Sequence, residues 1–329
     1  MLTLVDAEVS DNGGGNGPAV YNVGALTVVG STIRNNSDGG GLGNTGVATV
    51  ISSTIADNVG ASGAGGISNS GSLTVTASAV VGNSNFHGVG GGLYNSGVVT
   101  LTNSTVSGNS VSGGPASGGG LYNDRTGTAV LSNVTVSDNE GNAAGGIGGV
   151  DNSSGGTVAL VDTILAGNTP PKGGAVGGPD CYGTLTSRGH NLLGAPAGCA
   201  GLVDGVNGDR VGTAAASLDP LLGPLGDNGG PTRTRALLPG SPAIDAGDPA
   251  GCRDAAGALL TTDQRGLPRP YPQGGRCDIG AYEDQGAAGP GGPAATPELG
   301  SGELLVTGLL PLGLALLVRR QRARRARGR

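Results

Sequence analysis

The sequence predicts an all-β chain folded as a right-handed, single-stranded parallel β-helix with three short strands per coil. Three observations lead there. An Asn recurs seven times behind aliphatics at fixed offsets, a second glycine-led track runs between those repeats, and the composition suits no bulkier core. With 70 Gly, 19 Pro, one Phe and no Trp in 329 residues, a globular core of large side chains is hard to build, whereas a solenoid needs only one or two small aliphatics per face in each coil. Glycine does not fall at every third position, which excludes collagen. The evenly spaced apolar clusters argue against a disordered, Gly-rich chain.

The repeat ends at Asn12, Asn36, Asn58, Asn83, Asn109, Asn139 and Asn168, with steps of 24, 22, 25, 26, 30 and 29 residues. Three residues before each Asn stands Val9, Ile33, Ile55, Val80, Val106, Val136 or Leu165, and eight before it stands Leu4, Val28, Val50, Val75, Leu101, Leu131 or Leu160. Ten before it come Leu2, Leu26, Ala48, Leu73, Val99, Ala129 and Val158. The offsets ten and eight alternate with period two, the pattern of a strand with one buried face. Small residues five before the Asn, among them Ser31, Ser53, Ser78 and Ser104, extend that face.

The second track reads Gly-Gly-Gly-Leu-Gly-Asn at 39–44, Gly-Gly-Ile-Ser-Asn at 65–69, and Gly-Gly-Gly-Leu-Tyr-Asn at both 90–95 and 118–123. Val20, Tyr21 and Asn22 open it, and Gly145, Gly146 and Ile147 are expected to close it without an Asn. Glycine and Asn both tolerate left-handed backbone, so they suit turns stacked at about 4.8 Å, where the amides can bond up and down a column. One ladder is expected through Asn22, Asn44, Asn69, Asn95 and Asn123, the other through the Asn12 to Asn168 series. Longer steps near Asp124 to Thr128 read as turn insertions. An antiparallel sandwich is the rival fold, but it predicts tight hairpins and more aromatics.

Domain organisation follows from where the pattern changes. Residues 1–170 are about seven coils, and 171–283 are irregular last coils with a disulfide-stabilised cap. Residues 284–303 form a Gly/Pro/Ala linker, 304–318 a hydrophobic anchor segment and 319–329 a basic stop. The chain starts inside the repeat pattern, so an N-terminal piece carrying a signal peptide and earlier coils is expected to be missing. Cys181, Cys199, Cys252 and Cys277 are spaced unlike zinc or redox pairs, and an even count suits disulfides in an oxidising compartment. Three pairings are open; the simplest joins Cys181 to Cys199 and Cys252 to Cys277.

Beyond Asn168 the pattern is replaced by Pro/Gly-punctuated blocks. They include Leu218-Asp-Pro-Leu-Leu-Gly-Pro, Ser241-Pro-Ala-Ile-Asp-Ala-Gly, Thr262-Asp-Gln-Arg-Gly-Leu-Pro-Arg-Pro and Cys277-Asp-Ile-Gly-Ala-Tyr-Glu283. Here the chain resembles the choice-of-anchor Q family, the C-terminal module found behind β-helix repeats in bacterial surface proteins. The resemblance is specific over residues 218–283 and architectural over the repeats. It implies export, a β-helix that ends in a cap and a C-terminal anchor, and it implies no reaction. In the residues themselves, Asp245, Asp263, Arg265, Arg269, Asp278 and Glu283 read as a salt-bridge network fastening the cap in preference to a site.

The tail supports an outside location. Leu304 to Val318 is apolar apart from Thr307 and two glycines, and seven Arg follow between 319 and 329. Fifteen residues fall short of the roughly 20 of a spanning helix, yet the order linker, apolar stretch, basic stop fits a membrane anchor with the body outside. No Leu-Pro-x-Thr-Gly sorting motif is present. Without those seven Arg the body carries 11 basic against 24 acidic residues, which disfavours nucleic acid as a partner.

Function is less legible. Only Arg34, Arg125 and His87 supply basic or imidazole side chains before residue 170, too few for lyase chemistry built on a base beside acidic groups. Asp11, Asp57 and Asp138 share one turn position and read as turn formers, so no catalytic residue is assigned. No cofactor or metal is assigned either; the alternative is calcium held by turn oxygens, as in some extracellular solenoids. Tyr94, Tyr122 and Asp124 form a candidate ligand surface, with Tyr21 in the same column, although a stabilising cross-coil stack is the preferred reading of the tyrosines. The expected function is that of a monomeric, surface-anchored extracellular protein on a bacterial cell, structural or adhesive, with extracellular polysaccharide as the partner. The alternative is a polysaccharide lyase or glycoside hydrolase on the same fold.

Overall fold

The computed structural model describes residues 1–286 apart from 16, 62, 114–116, 142–145 and 170–178. The expected anchor at 304–318, the basic stop at 319–329 and all but the first three linker residues lie outside the described residues. No helix among the described residues is long and apolar enough to cross a membrane.

The coils form a parallel β-solenoid of about seven turns, as the repeat predicts. Each coil sends two short legs to one main sheet of 15 strands. The first legs include Leu2–Val5, Ala25–Val29, Val47–Ile51 and Ser72–Thr76; the second include Glu8–Ser10, Thr32–Arg34, Thr54–Ala56 and Ala79–Val81. In Val98–Ser107 and Thr128–Ser137 the two legs fuse into one ten-residue strand. A second sheet of eight strands carries the glycine-led track, from Val20–Asn22 to Cys199–Ala200. A third, narrow sheet joins Val59–Gly60, Ser84–Asn85 and Ser110–Val111. The register never slips along the first legs: Leu4 faces Val28, then Val50, Val75, Leu101, Leu131 and Leu160. These inward aliphatics, with Ile33, Ile55, Leu42 and Leu93, make the continuous core.

Both Asn ladders form. Each side-chain Nδ2 donates to the Oδ1 of the Asn one coil further on, at 2.7–2.9 Å from Asn22 to Asn152 and at 2.8–2.9 Å from Asn12 to Asn168. The second track therefore does not close at Ile147. Gly148 and Gly149 precede a further strand, Val150–Asn152, and Asn152 accepts from Asn123 at 2.9 Å. The glycines are required by the ladder beside them: a Cβ on Gly92 would lie 2.9 Å from the Asn109 Cγ and 2.7 Å from the Gly120 carbonyl.

A ladder whose donors all point one way needs an acceptor at its end, and a carboxylate accepts without competing to donate. Asp180 fills that place, its Oδ1 accepting from the side chain and the backbone N–H of Asn168 at 2.9 Å. The serine column ends alike. Backbone N–H groups of Ala7, Ser31, Ser53 and Ser78 donate to the next coil's hydroxyl, and further on Thr163 donates to Asn191, which donates to Asp209. Burial pushes the Asp180 carboxyl above its usual range, against the pull of its donors.

Two further columns are left-handed. Asp11, Asn35, Asp57, Gly82, Gly108, Asp138 and Gly167 all have φ between 54° and 73° just before the ladder Asn. That backbone accounts for the shared Asp11, Asp57 and Asp138. Asp6, Gly30, Ser52, Ala77, Asn103, Asn133 and Asp162 bend the main sheet between its two legs, with φ of 45–56°.

Coil pairing continues past residue 170, through Leu192–Leu193 to Arg210–Val211. The chain then folds back along the outside of the coils. Among residues 213–286, Thr232 donates to the Ala77 carbonyl, the Thr262 carbonyl accepts from Asn103, the Arg253 carbonyl accepts from Asn133, and Asp248 N–H donates to Asp162. The module therefore lies along the bend column of four coils, where the sequence suggested irregular coils over an open end. Leu237, Ala243, Ala246 and Ile279 pack on outward-facing Ile164, Ala166 and Leu192. Both disulfides are the simplest pairs, Cys181–Cys199 and Cys252–Cys277.

Candidate functional site

The outward position of the second sheet carries Tyr21, Gly43, Ser68, Tyr94, Tyr122, Asp151 and Tyr182 in unbroken register. Alternation along a strand sends these side chains out whenever the Leu or Ile before them goes in. Tyr94 and Tyr122 stack with ring centroids 5.9 Å apart and planes 7° from parallel. The stack is fixed at its rim, because the Tyr94 hydroxyl bonds Asp124 Oδ2 at 3.1 Å and the Tyr122 hydroxyl bonds Ser154 Oγ at 2.8 Å. Burial, reinforced by the Asp124 carboxylate, holds the Tyr94 hydroxyl above its usual pKa. The structure thus brings Tyr94, Tyr122 and Asp124 together as the sequence suggested.

What the sequence did not suggest is the gap beside them. Gly43 and Ser68 lower the column for two coils, leaving a notch of ≈ 240 Å³ between Tyr21 and Tyr94. Pro18 and the Tyr21 ring lean over Gly43, where a Cβ would lie 2.7 Å and 3.0 Å from them. Thr45 and Ser70 stand at the rim. Tyr21 is 63% exposed, so one wall is an exposed tyrosine and the other belongs to a braced stack. Small residues between two tyrosines in one aligned column were the available signal.

The charged residues of the module form a closed network. Arg269 donates to Glu283 at 2.8 Å and to Asn103 and Asn133 on the coils, and Arg265 pairs with Asp263 at 2.7 Å while its guanidinium lies 3.6 Å from the Tyr282 ring centre. Asp278 accepts from the Asp245 N–H, while Asp245 itself is exposed. Burial pushes Asp162 and Asp278 up to about 7, with the neighbouring Glu283 adding to the effect at Asp278. Glu283 is raised by burial as well. Perturbed carboxylates mark active sites when they face a cleft; these are sealed between module and coils. Asn103 and Asn133 join the network through Arg269, 166 and 136 residues further on, and Gln264 bonds Thr105 across 159 residues, all beyond the reach of pattern reading.

Among the described residues one group has the spacing of a metal cluster: Asp162, Cys252 and Cys277. The two sulfurs are joined as a disulfide, so they offer no thiolate, and one carboxylate does not make an oxygen cage for calcium. No family model matches the chain, and neither the curated proteins nor the solved structures yield a match.

Proposed function

We infer that the chain is a surface protein of the bacterial cell exterior whose solenoid binds neutral polysaccharide, held to the membrane by its C-terminal apolar segment. The notch between Tyr21 and Tyr94 carries this reading. A pyranose ring has an apolar face that lies against an aromatic ring and a hydroxyl rim that bonds polar groups at the edge, and the notch offers that combination. The acidic body favours a neutral glycan over a polyanion. Two disulfides support an oxidising compartment. Binding without turnover is the expected mode, because the perturbed carboxylates are sealed from solvent.

The test is affinity electrophoresis of the full chain, in detergent, through gels containing soluble starch, laminarin, galactomannan or xyloglucan, with reducing-end release followed in parallel. Retardation by at least one polymer without product, relieved by Tyr21→Ala, is expected. Product release would turn the reading to the enzyme class, and retardation unchanged in Tyr21→Ala would remove the notch from it.

A further inference from the structure

The outward face of the first legs, six residues past the tyrosine column in the coils of Ser68 and Tyr94, carries a second groove. Its floor is two adjacent columns of threonines, Thr74 with Thr100 and Thr76 with Thr102, the first continued by Val130. The loop Asp254 to Ala256 with Leu260 forms one wall, and Arg188 reaches in from a later coil; together they enclose ≈ 460 Å³. Thr102 is only 6% exposed, yet its hydroxyl has no hydrogen-bond partner among the described residues. Nor has the Arg188 guanidinium. Asp254 turns one oxygen to the N–H groups of Ala256 and Ala258, at 2.9 and 2.8 Å, and its other oxygen has no partner among the described residues.

A groove lined by unpaired donors and acceptors of both kinds selects for a ligand that also carries both. A peptide strand would gain little, because strand addition needs an unpaired sheet edge and the floor strand Ser72–Thr76 is already bonded to coils on both sides. A polyanion would meet the Asp254 carboxylate within an acidic body. A neutral chain of hydroxyls fits: the guanidinium takes a vicinal pair of hydroxyls, the remaining Asp254 oxygen accepts from a further hydroxyl, and the threonine columns repeat at the coil spacing of about 4.8 Å, close to the length of one sugar residue.

We propose that this threonine-floored groove is a second saccharide site, separate from the tyrosine notch, so that one molecule holds two glycan segments. The groove stands on its own geometry; only the count of two rests on the notch reading. Holding two segments lets the protein cross-link polymer chains, with the gain in apparent affinity that linked sites give.

The experiment is calorimetric titration of the full chain with maltohexaose, cellohexaose and mannohexaose, together with aggregation of beads coated with the polymer retarded in gels. Arg188→Ala and Thr74→Trp, both at exposed positions, empty or fill the groove without touching the core, and Tyr21→Ala disables the notch. Two sites per chain, reduced to one by either groove variant and accompanied by loss of bead aggregation, is the expected result. Binding that survives Tyr21→Ala and disappears in Arg188→Ala would keep the groove and remove the notch. A single site lost in Tyr21→Ala and untouched by both groove variants would overturn the groove while leaving the notch, and absence of binding by any hexaose would overturn both.

Discussion

The coils and the module laid along them bury polar groups in opposite ways. In the coils a buried Asn or Ser has the same residue above and below it, so each hydrogen bond is one rung of a ladder. In the module a buried polar group has one partner set and no copy, as with Arg269 between Glu283, Asn103 and Asn133. A ladder spreads the desolvation of polar groups over many equal bonds, whereas the module concentrates it in a few charged ones. Loss of one residue should therefore be felt most in the module, although the coils hold most of the structure.

The sharpest test of that contrast is Arg269→Met. It strands the Glu283 carboxylate in a buried site, which costs roughly 3–5 kcal/mol, and early loss of the module in a denaturant titration, with proteolysis confined to residues 213–286, is expected. The disulfide is next. Cys252→Ser with Cys277→Ser opens a loop of separation 25 and should cost about 3 kcal/mol, read as a lowered first transition. In mid-ladder, Asn83→Ala removes the acceptor shared by the Asn58 backbone N–H and side chain and the side-chain donor to Asn109, at about 1–3 kcal/mol in the coil transition. Asn12→Ala, at the exposed first rung, should cost well under about 1 kcal/mol. Equal losses at Asn12 and Asn83 would break the ladder account.

Acidity should separate the two regions as well. Asp162 and Asp278 hold their protons up to about 7 in the folded protein, while in the unfolded chain such groups ionise near 4. Between those values the folded form binds more protons, so stability is highest on the acid side, falls as pH rises towards 7 and levels off above it. Melting of the module should rise from pH 8 to pH 5, and Asp162→Asn should flatten part of that slope and stabilise the module at pH 8. The amide ladders carry no titrating group except at their ends, so the coil transition should move less.

The same contrast explains what was legible in the sequence. Strands, ladders, core and disulfide pairs repeat or are near in sequence, and a period finds them. Asp180 escaped because the break after Asn168 upsets the offset, although it occupies the next rung. The lateral packing of the module escaped because its contacts join residues more than a hundred positions apart, such as Thr232 with Ala77 and Arg269 with Asn103. One signal for it was present. The outward residues of the second legs pass from Glu8 and Arg34, which pair with each other at 2.6 Å, to Ala79, Val81, Thr105, Ser107, Ile164 and Ala166. Small or apolar outward residues at regular spacing mean that something covers that face. The tyrosine stack was legible from its column, and the notch beside it only from the two small residues that interrupt the aromatics.

The central functional claim, saccharide held against Tyr21, is open to a direct measurement. The chain contains six Tyr and no Trp, so intrinsic fluorescence reports on tyrosines alone. Titration of the full chain with the oligosaccharide of whichever polymer retards it in gels should give a saturable change in tyrosine emission. In Tyr21→Ala the affinity should fall about tenfold or more, with thermal melting unchanged because Tyr21 is exposed. Equal affinity in wild type and variant would contradict the account.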